Sequence, residues 1–145
     1  MQRINLILIF IAVFSCKQND VEPNRLASNL NKDFEIVINQ DIYLKNTLSV
    51  DDFVFKVSEI TDSRCPSDVD CVQFGWVDVI GEVKDSETNQ AVTLTFCLGY
   101  CKKAATGMLE QDTIPFKLNE KNYRAILKAV IPFPTTSNTD LPKSA

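Results

Sequence analysis

The feature that most constrains this fold is an alternation of apolar and polar residues with a period of two. Successive side chains of a β-strand point to opposite faces, so each alternating segment predicts a half-buried strand. The inward-facing sets are Phe53, Phe55 and Val57; Val77, Val79 and Val83 with Gly81; Val92, Leu94, Phe96 and Leu98; and Tyr123, Ala125, Leu127, Ala129 and Ile131. The chain is therefore expected to be all-β.

Turn signals separate these segments. The polar run Asp85 to Gln90 predicts a hairpin between two strands, and Pro132 and Pro134 are expected to end the last strand. A short helix or a loop is expected at Lys102 to Gln111. Short strands at regular spacing are typical of an antiparallel β-sandwich or a small barrel.

The first residues have the order of a lipoprotein signal peptide. Arg3 precedes an apolar run from Ile4 to Phe14, broken only by Asn5, which would reach roughly 16 Å as a helix, about half of a bilayer core. Val13 to Cys16 then resembles the bacterial lipobox, with the small Ser15 before the cysteine. This pattern predicts cleavage after residue 15 and acylation of the Cys16 thiol.

Four parts of the chain follow from these signals. They are a signal peptide over 1–15, an acylated Cys16 with a polar tether over 16–33, a β-sandwich domain over 34–134, and a disordered tail over 135–145. Loss of 1–15 leaves 14 basic and 19 acidic side chains, a net charge of −5. Nucleic acid is therefore not an expected partner, because its phosphates would be repelled.

The other four cysteines form an even set, which in an exported protein predicts two disulfides. Three pairings are open. The local pairs Cys65–Cys71 and Cys97–Cys101 are favoured, with Gly99 allowing the turn that the second pair needs. A crossed pairing of Cys71 with Cys97 or Cys101 is the alternative. The chain has no His and its cysteine spacing is unusual for zinc, so no metal and no cofactor are expected.

One loop stands out between two predicted strands. Asp62, Ser63, Arg64, Cys65 and Pro66 lead into it, and Cys71, Phe74, Gly75 and Trp76 lead out. Asp62 and Arg64 can pair across its mouth, and Pro66 stiffens it. The segment resembles the D-S-R-C-P-x4-C-x3-G signature of a family of uncharacterised secreted proteins and lipoproteins of Bacteroidetes.

The resemblance extends loosely from Tyr123 to Pro134, because those proteins also tend to close with a strand that ends in Pro-aromatic-Pro. It implies a Cys65–Cys71 disulfide and, since the family's function is not established, no activity. Lys17 and Asp20 weakly resemble an export signal of surface lipoproteins. The expected location is the outer membrane, lipid-anchored, with periplasmic-facing and cell-surface orientations both open.

The function expected from these features is that of a non-enzymatic binding module whose partner is a protein or another envelope component. Asp62, Arg64, Pro66, Phe74 and Trp76 would serve as contacts, and Tyr100 would be a further anchor if it is exposed. A second interpretation, favoured for the two aromatics after Cys71, puts Phe74 and Trp76 in the core. A structural envelope component is the alternative function. A carboxylate-based hydrolase or a calcium site using Asp62, Asp68 and Asp70 ranks lower, because three acids in one loop are usually solvated.

Overall fold

The computed structural model describes residues 26–45, 52–101, 107–138 and 141–145. It has seven strands: β1 (Leu26–Asn29), β2 (Asp41–Lys45), β3 (Asp52–Asp62), β4 (Trp76–Asp85), β5 (Ala91–Gly99), β6 (Asp112–Leu118) and β7 (Lys121–Leu127). The all-β prediction is confirmed, and the described residues contain no helix. Accordingly, no membrane-crossing helix is found in them. The signal peptide, Cys16 and most of the predicted tether lie outside these ranges.

The strands form a five-stranded sheet in the order β1-β2-β3-β4-β5 and a two-stranded hairpin of β6 and β7. All neighbours are antiparallel except β1, which runs parallel to β2. Strand β1 lies within the segment predicted as tether. The domain therefore includes residues from Leu26 rather than from 34, because backbone pairing to β2 orders a short polar segment that has no apolar period.

The alternation in the sequence predicts the packed face correctly. Val57, Val77 and Val79 are buried at the centre of the sheet, and the core adds residues from every strand after β1. The hairpin covers this face, since the ring of Tyr123 meets that of Phe53 edge-on at 5.1 Å between centroids. The arrangement is sandwich-like, as expected.

Gly81 shows why one inward position of β4 carries no side chain. The ring of Phe55 from the neighbouring strand lies directly over it, and a Cβ at residue 81 would come within 2.9 Å of two ring carbons. Real Cβ atoms do not approach so closely. The glycine therefore makes room for Phe55 to pack beside Val83, its partner in the β3–β4 register.

The last part of the chain is ordered where it is described, so the prediction of a disordered tail is wrong for residues 141–145. Ser144 exchanges backbone hydrogen bonds with Ile131, and Ala145 does the same with Ile36. Lys143 and Ser144 are both buried. The β7 strand also ends at Leu127, four residues earlier than its alternation predicts, because the following residues pair with this tail instead.

The two ends of the sheet differ in character. At one end, which we call the polar end, the β4–β5 turn meets the β6–β7 turn through Thr88 and Asn119, whose side-chain oxygens lie 3.0 Å apart. The carboxylate of Asp85 organises this turn by accepting the backbone N–H groups of Glu87 and Thr88. At the other end, the loop end, β3 finishes, β4 begins and β5 finishes.

Candidate binding surface at the disulfide loop

The segment 63–75, which we call the disulfide loop, continues the β3–β4 ladder beyond the sheet. The N–H of Ser63 donates to the carbonyl of Trp76, and the N–H of Cys65 donates to that of Phe74, both at 2.8 Å. The Cys65–Cys71 disulfide then closes the tip, with 6.0 Å between the Cα atoms. The favoured local pairing is the one found, and it leaves residues 66–70 as a short closed turn.

Gly75 is required where the loop re-enters β4. Its φ of +68° lies in the left-handed region, which side chains with a Cβ adopt at a cost. A Cβ at this position would also collide with the carbonyl oxygen of Ser63. The second constraint comes from the close approach of the two loop strands, so Gly75 has a steric role here as well as a conformational one.

A buried ion cluster supports the base of the loop. The guanidinium of Arg64 binds both carboxylate oxygens of Asp62, at 2.8 and 2.7 Å, and the ammonium of Lys143 lies 3.1 Å from the same carboxylate. The three side chains are only 8–9 % exposed. Lys143 also donates to the carbonyl of Pro132 at 3.0 Å, while the ring of Phe133 lies 4.4 Å from the guanidinium carbon of Arg64.

The ion cluster determines the ionisation of Asp62. Burial opposes a charge on this carboxyl, but the hydrogen bonds and charge of Arg64, with a further hydrogen bond from Lys143, outweigh burial and lower its pKa. Asp62 therefore carries its charge at neutral pH. Arg64 and Asp62 shape the loop from inside, and neither side chain is an exposed contact.

A second set of contacts holds the tip of the loop. The N–H of Ser67 donates to the carbonyl of Pro134 at 2.9 Å, and the N–H of Thr136 donates to the carboxylate of Asp68, also at 2.9 Å. The hydroxyl and the N–H of Thr136 lower the pKa of Asp68. The loop is thus fastened to segment 132–136 at its tip as well as at its base.

Exposed apolar side chains lie beside these fixed points. The ring of Phe74 is stacked on that of Tyr100, with 5.3 Å between centroids and 17° between planes. Phe74 is 62 % exposed and Tyr100 46 %, and Val72 is fully exposed. The interpretation of Phe74 as a core residue is wrong. The paired backbone segments of the disulfide loop extend beyond the buried core, and Phe74 lies on this extension.

Trp76 takes an intermediate position. Its side chain is half-buried, and its indole N–H donates to the carboxylate of Asp78 at 2.8 Å. Pro66 is likewise partly buried, and its carbonyl accepts the N–H of Val69 in the closed turn. Both residues therefore support the loop more than they extend its contact area.

The second disulfide forms the neighbouring wall. Cys97 and Cys101 are paired across Leu98 to Tyr100, as predicted, and both are buried. Gly99 turns the chain with a φ of +93°, and the N–H of Tyr100 then donates to the carbonyl of Gly75. This bond sets Tyr100 against Phe74. Gly99 is also bridged to Leu109, which brings the exposed Met108 to the loop end.

The carboxylates of Asp62, Asp68 and Asp70 are not grouped into one site. Asp62 is held by two cations and Asp68 by Thr136, while Asp70 is exposed. In the part of the chain that the structure describes, no three His, Cys, Asp or Glu side chains are grouped so as to hold a metal ion. The arrangement therefore suits contact through apolar surface better than chemistry through paired acids.

Sequence reasoning missed the residues that come from far along the chain: Lys143, Phe133 and Thr136. The available signal was Pro132-Phe133-Pro134, which belongs to the same sequence resemblance as the loop. An open depression on the β6–β7 hairpin, between Phe116 and Arg124, was also not anticipated. It is shallow and lies apart from the disulfide loop. Comparison with protein-family models, with curated proteins and with solved structures finds no match.

Proposed function

We propose that this chain is a lipid-anchored envelope protein that acts as a binding module, not an enzyme, and that its loop end is the contact surface. Cys16 would carry the anchor in the outer membrane, facing either the periplasm or the cell surface. The order of Arg3, the apolar run and Ser15-Cys16 supports the anchor. The exposed Phe74–Tyr100 stack supports the contact surface.

The stacked pair is the observation that carries this proposal. Large aromatic side chains are the usual energetic centres of binding surfaces, whereas exposure of such rings normally costs stability. Here two rings are kept in the open by bonds that fix their backbones, those of Gly75 to Tyr100 and of Phe74 to Cys65. A surface held in this way loses little conformational entropy when a partner binds.

A structural envelope component is the alternative, and burial of both aromatics would have favoured it. Phe74 is exposed, so recognition is the better-supported function. A carboxylate-based hydrolase has less support, because Asp62 and Asp68 are committed to Arg64, Lys143 and Thr136. Those contacts keep Asp62 ionised, which is the wrong state for a general acid.

Two measurements test the proposal. Mass spectrometry of the mature N-terminus, with Cys16→Ala as the control, should find acyl chains on residue 16 of the wild-type chain alone. For the surface, Phe74 is replaced by the photoreactive residue benzoylphenylalanine in the anchored full chain within its own envelope. Irradiation should then give adducts with protein or lipid.

Glu87 in the exposed turn of the polar end is the matched control position for the photoreactive residue. It should give few adducts. The Cys65→Ser/Cys71→Ser form, whose loop is open, should lose most of the adducts formed at position 74. Equal yields of photoadducts at positions 74 and 87 would contradict the assignment of the loop end as the contact surface.

A further inference from the structure

The topology shows from which side the chain enters the domain. Strand β1 runs parallel to β2, and β2 runs antiparallel to β3, which leads toward the loop end. The chain therefore enters β1 at Leu26 while travelling away from the loop end. Leu26 is level with Ile42, Phe55 and Val83 in the sheet. Leu26 thus begins β1 at the end of that strand that is nearer to the disulfide loop.

The tether is long enough to place its anchor at the loop end. Nine residues separate Val83 from Phe74, about 30 Å of extended strand at ~3.3 Å each. Ten residue steps separate Cys16 from Leu26, and these reach at most about 33–36 Å. Because the polar end is nearer to Leu26, tether length permits either end to face the membrane. The direction of β1, which runs away from the loop end from its first residue, favours the loop end.

The described turns at the two ends of the sheet differ in the side chains that they expose. At the loop end the exposed large apolar side chains are Val69, Val72, Phe74, Tyr100, Met108 and Phe133. At the polar end, the described turns 86–90 and 119–120 expose Ser86, Glu87 and Glu120 and no large apolar side chain. An apolar, aromatic surface at the end of the sheet from which β1 runs is suited to the boundary between headgroups and acyl chains.

We propose that the loop end rests on the bilayer that holds Cys16, with Val72, Phe74 and Tyr100 entering the interfacial region. This inference depends on the lipid anchor of the proposed function and names the bilayer as the partner of that surface. The mature chain carries a net charge of −5, and Asp70 is exposed in the loop. Apolar insertion, rather than attraction to anionic headgroups, is therefore the driving force.

Fluorescence quenching in vesicles tests this orientation. The acylated full chain carries a single tryptophan, Trp76. Two variants move that reporter: Trp76→Phe/Phe74→Trp places it in the loop, and Trp76→Phe/Glu87→Trp places it at the polar end. Each is reconstituted in phosphatidylethanolamine and phosphatidylglycerol vesicles whose acyl chains are brominated near the headgroup. We expect most of the emission of Trp at position 74 to be quenched and the emission of Trp at position 87 to be unchanged.

A further variant tests the contact itself. Val72→Asp in the background with Trp at position 74 adds a charge where the side chain touches nothing, so the fold is left intact. It should restore most of the quenched emission. Val37→Asp is the matched control, because Val37 is also exposed but its segment packs near Val57 in the middle of β3. It should leave the quenching unchanged.

The outcomes separate this inference from the proposed function. Vesicle-bound protein with no quenching at position 74, or with more quenching at 87, overturns the membrane orientation. Photoadducts with protein at position 74 would then leave the contact surface standing with a protein partner. A mature chain without acyl groups at Cys16 overturns both the anchor and the orientation that depends on it.

Discussion

The ammonium of Lys143 lies 3.1 Å from the carboxylate of Asp62, and both side chains are buried. The contact joins the residue that ends β3 to a segment near the far end of the sequence. Arg64 binds the same carboxylate, so one acid is shared by two cations. Neither cation is placed for an external ligand, and the cluster fixes the disulfide loop to the body of the domain.

Loss of Lys143 should therefore destabilise the domain. Lys143→Met keeps the length of the side chain but removes one cation from Asp62 and the donor to the carbonyl of Pro132. We expect the free energy of unfolding to fall by about 1–3 kcal/mol in urea titrations. Lys128→Met is the control, since Lys128 pairs with Asp33 on the surface and such pairs contribute about 0–1 kcal/mol. Equal losses in the two variants would contradict a role for burial.

Acid should weaken the same cluster. Burial acts against the charge of Asp62, but Arg64 and Lys143 hold its pKa below the ordinary value of 3.8. The stabilisation by this carboxylate is therefore fully present above about pH 4 and is lost as the pH falls through the folded-state pKa. Asp68 and Asp85 also have lowered pKa values and contribute to the same loss in the wild type.

The contribution of Asp62 to this loss of stability in acid can be isolated with the variant Asp62→Asn. This variant should be less stable at neutral pH, and its free energy of unfolding should fall less steeply than that of the wild type below about pH 4. Chemical denaturation at a series of pH values measures both slopes. Parallel slopes would mean that Asp62 does not titrate differently in the folded and unfolded chains.

Gly75 and Gly107 form a matched pair for the steric role of glycine in the loop. Both have positive φ, but a Cβ at 75 would strike Ser63 whereas a Cβ at 107 would meet open space. Gly107→Ala should cost about 1–2 kcal/mol for its backbone conformation alone. Gly75→Ala should cost clearly more, by a further 1–3 kcal/mol or so, because the loop strands must separate. Thermal unfolding of both variants gives the comparison.

The two disulfides should differ in their access to reductant. Cys71 is exposed and Cys65 partly so, whereas Cys97 and Cys101 are buried. Under limiting phosphine reductant without denaturant, alkylation followed by mass spectrometry should label Cys65 and Cys71 first. Simultaneous labelling of all four cysteines would show instead that the native fold does not protect the second pair.

The features that could be predicted from the sequence are those set by residues close together in the chain. Alternation marks Val57, Val77 and Val79 as core because their burial follows from strand geometry alone. The local disulfides are favoured by Gly99 and, for Cys65–Cys71 alone, by the family resemblance, but the sequence leaves a crossed pairing open. The exposure of Phe74 could not be predicted from alternation. It depends on how far the core extends beneath the paired strands of the disulfide loop. The partnership of Asp62 with Lys143 depends on tertiary pairing, and neither residue shows a signal for it.

The pairing of the last described residues with early ones also bears on the order of assembly. Ala145 bonds to Ile36 and Lys143 to Asp62, so both ends of these contacts must be present before the loop end can close. In a chain exported as proposed, residues 26–99, and with them the whole five-stranded sheet, cross the membrane well before Lys143 does. The sheet can therefore form as an early unit, while the surface around Phe74 takes its final shape only once that lysine has also crossed.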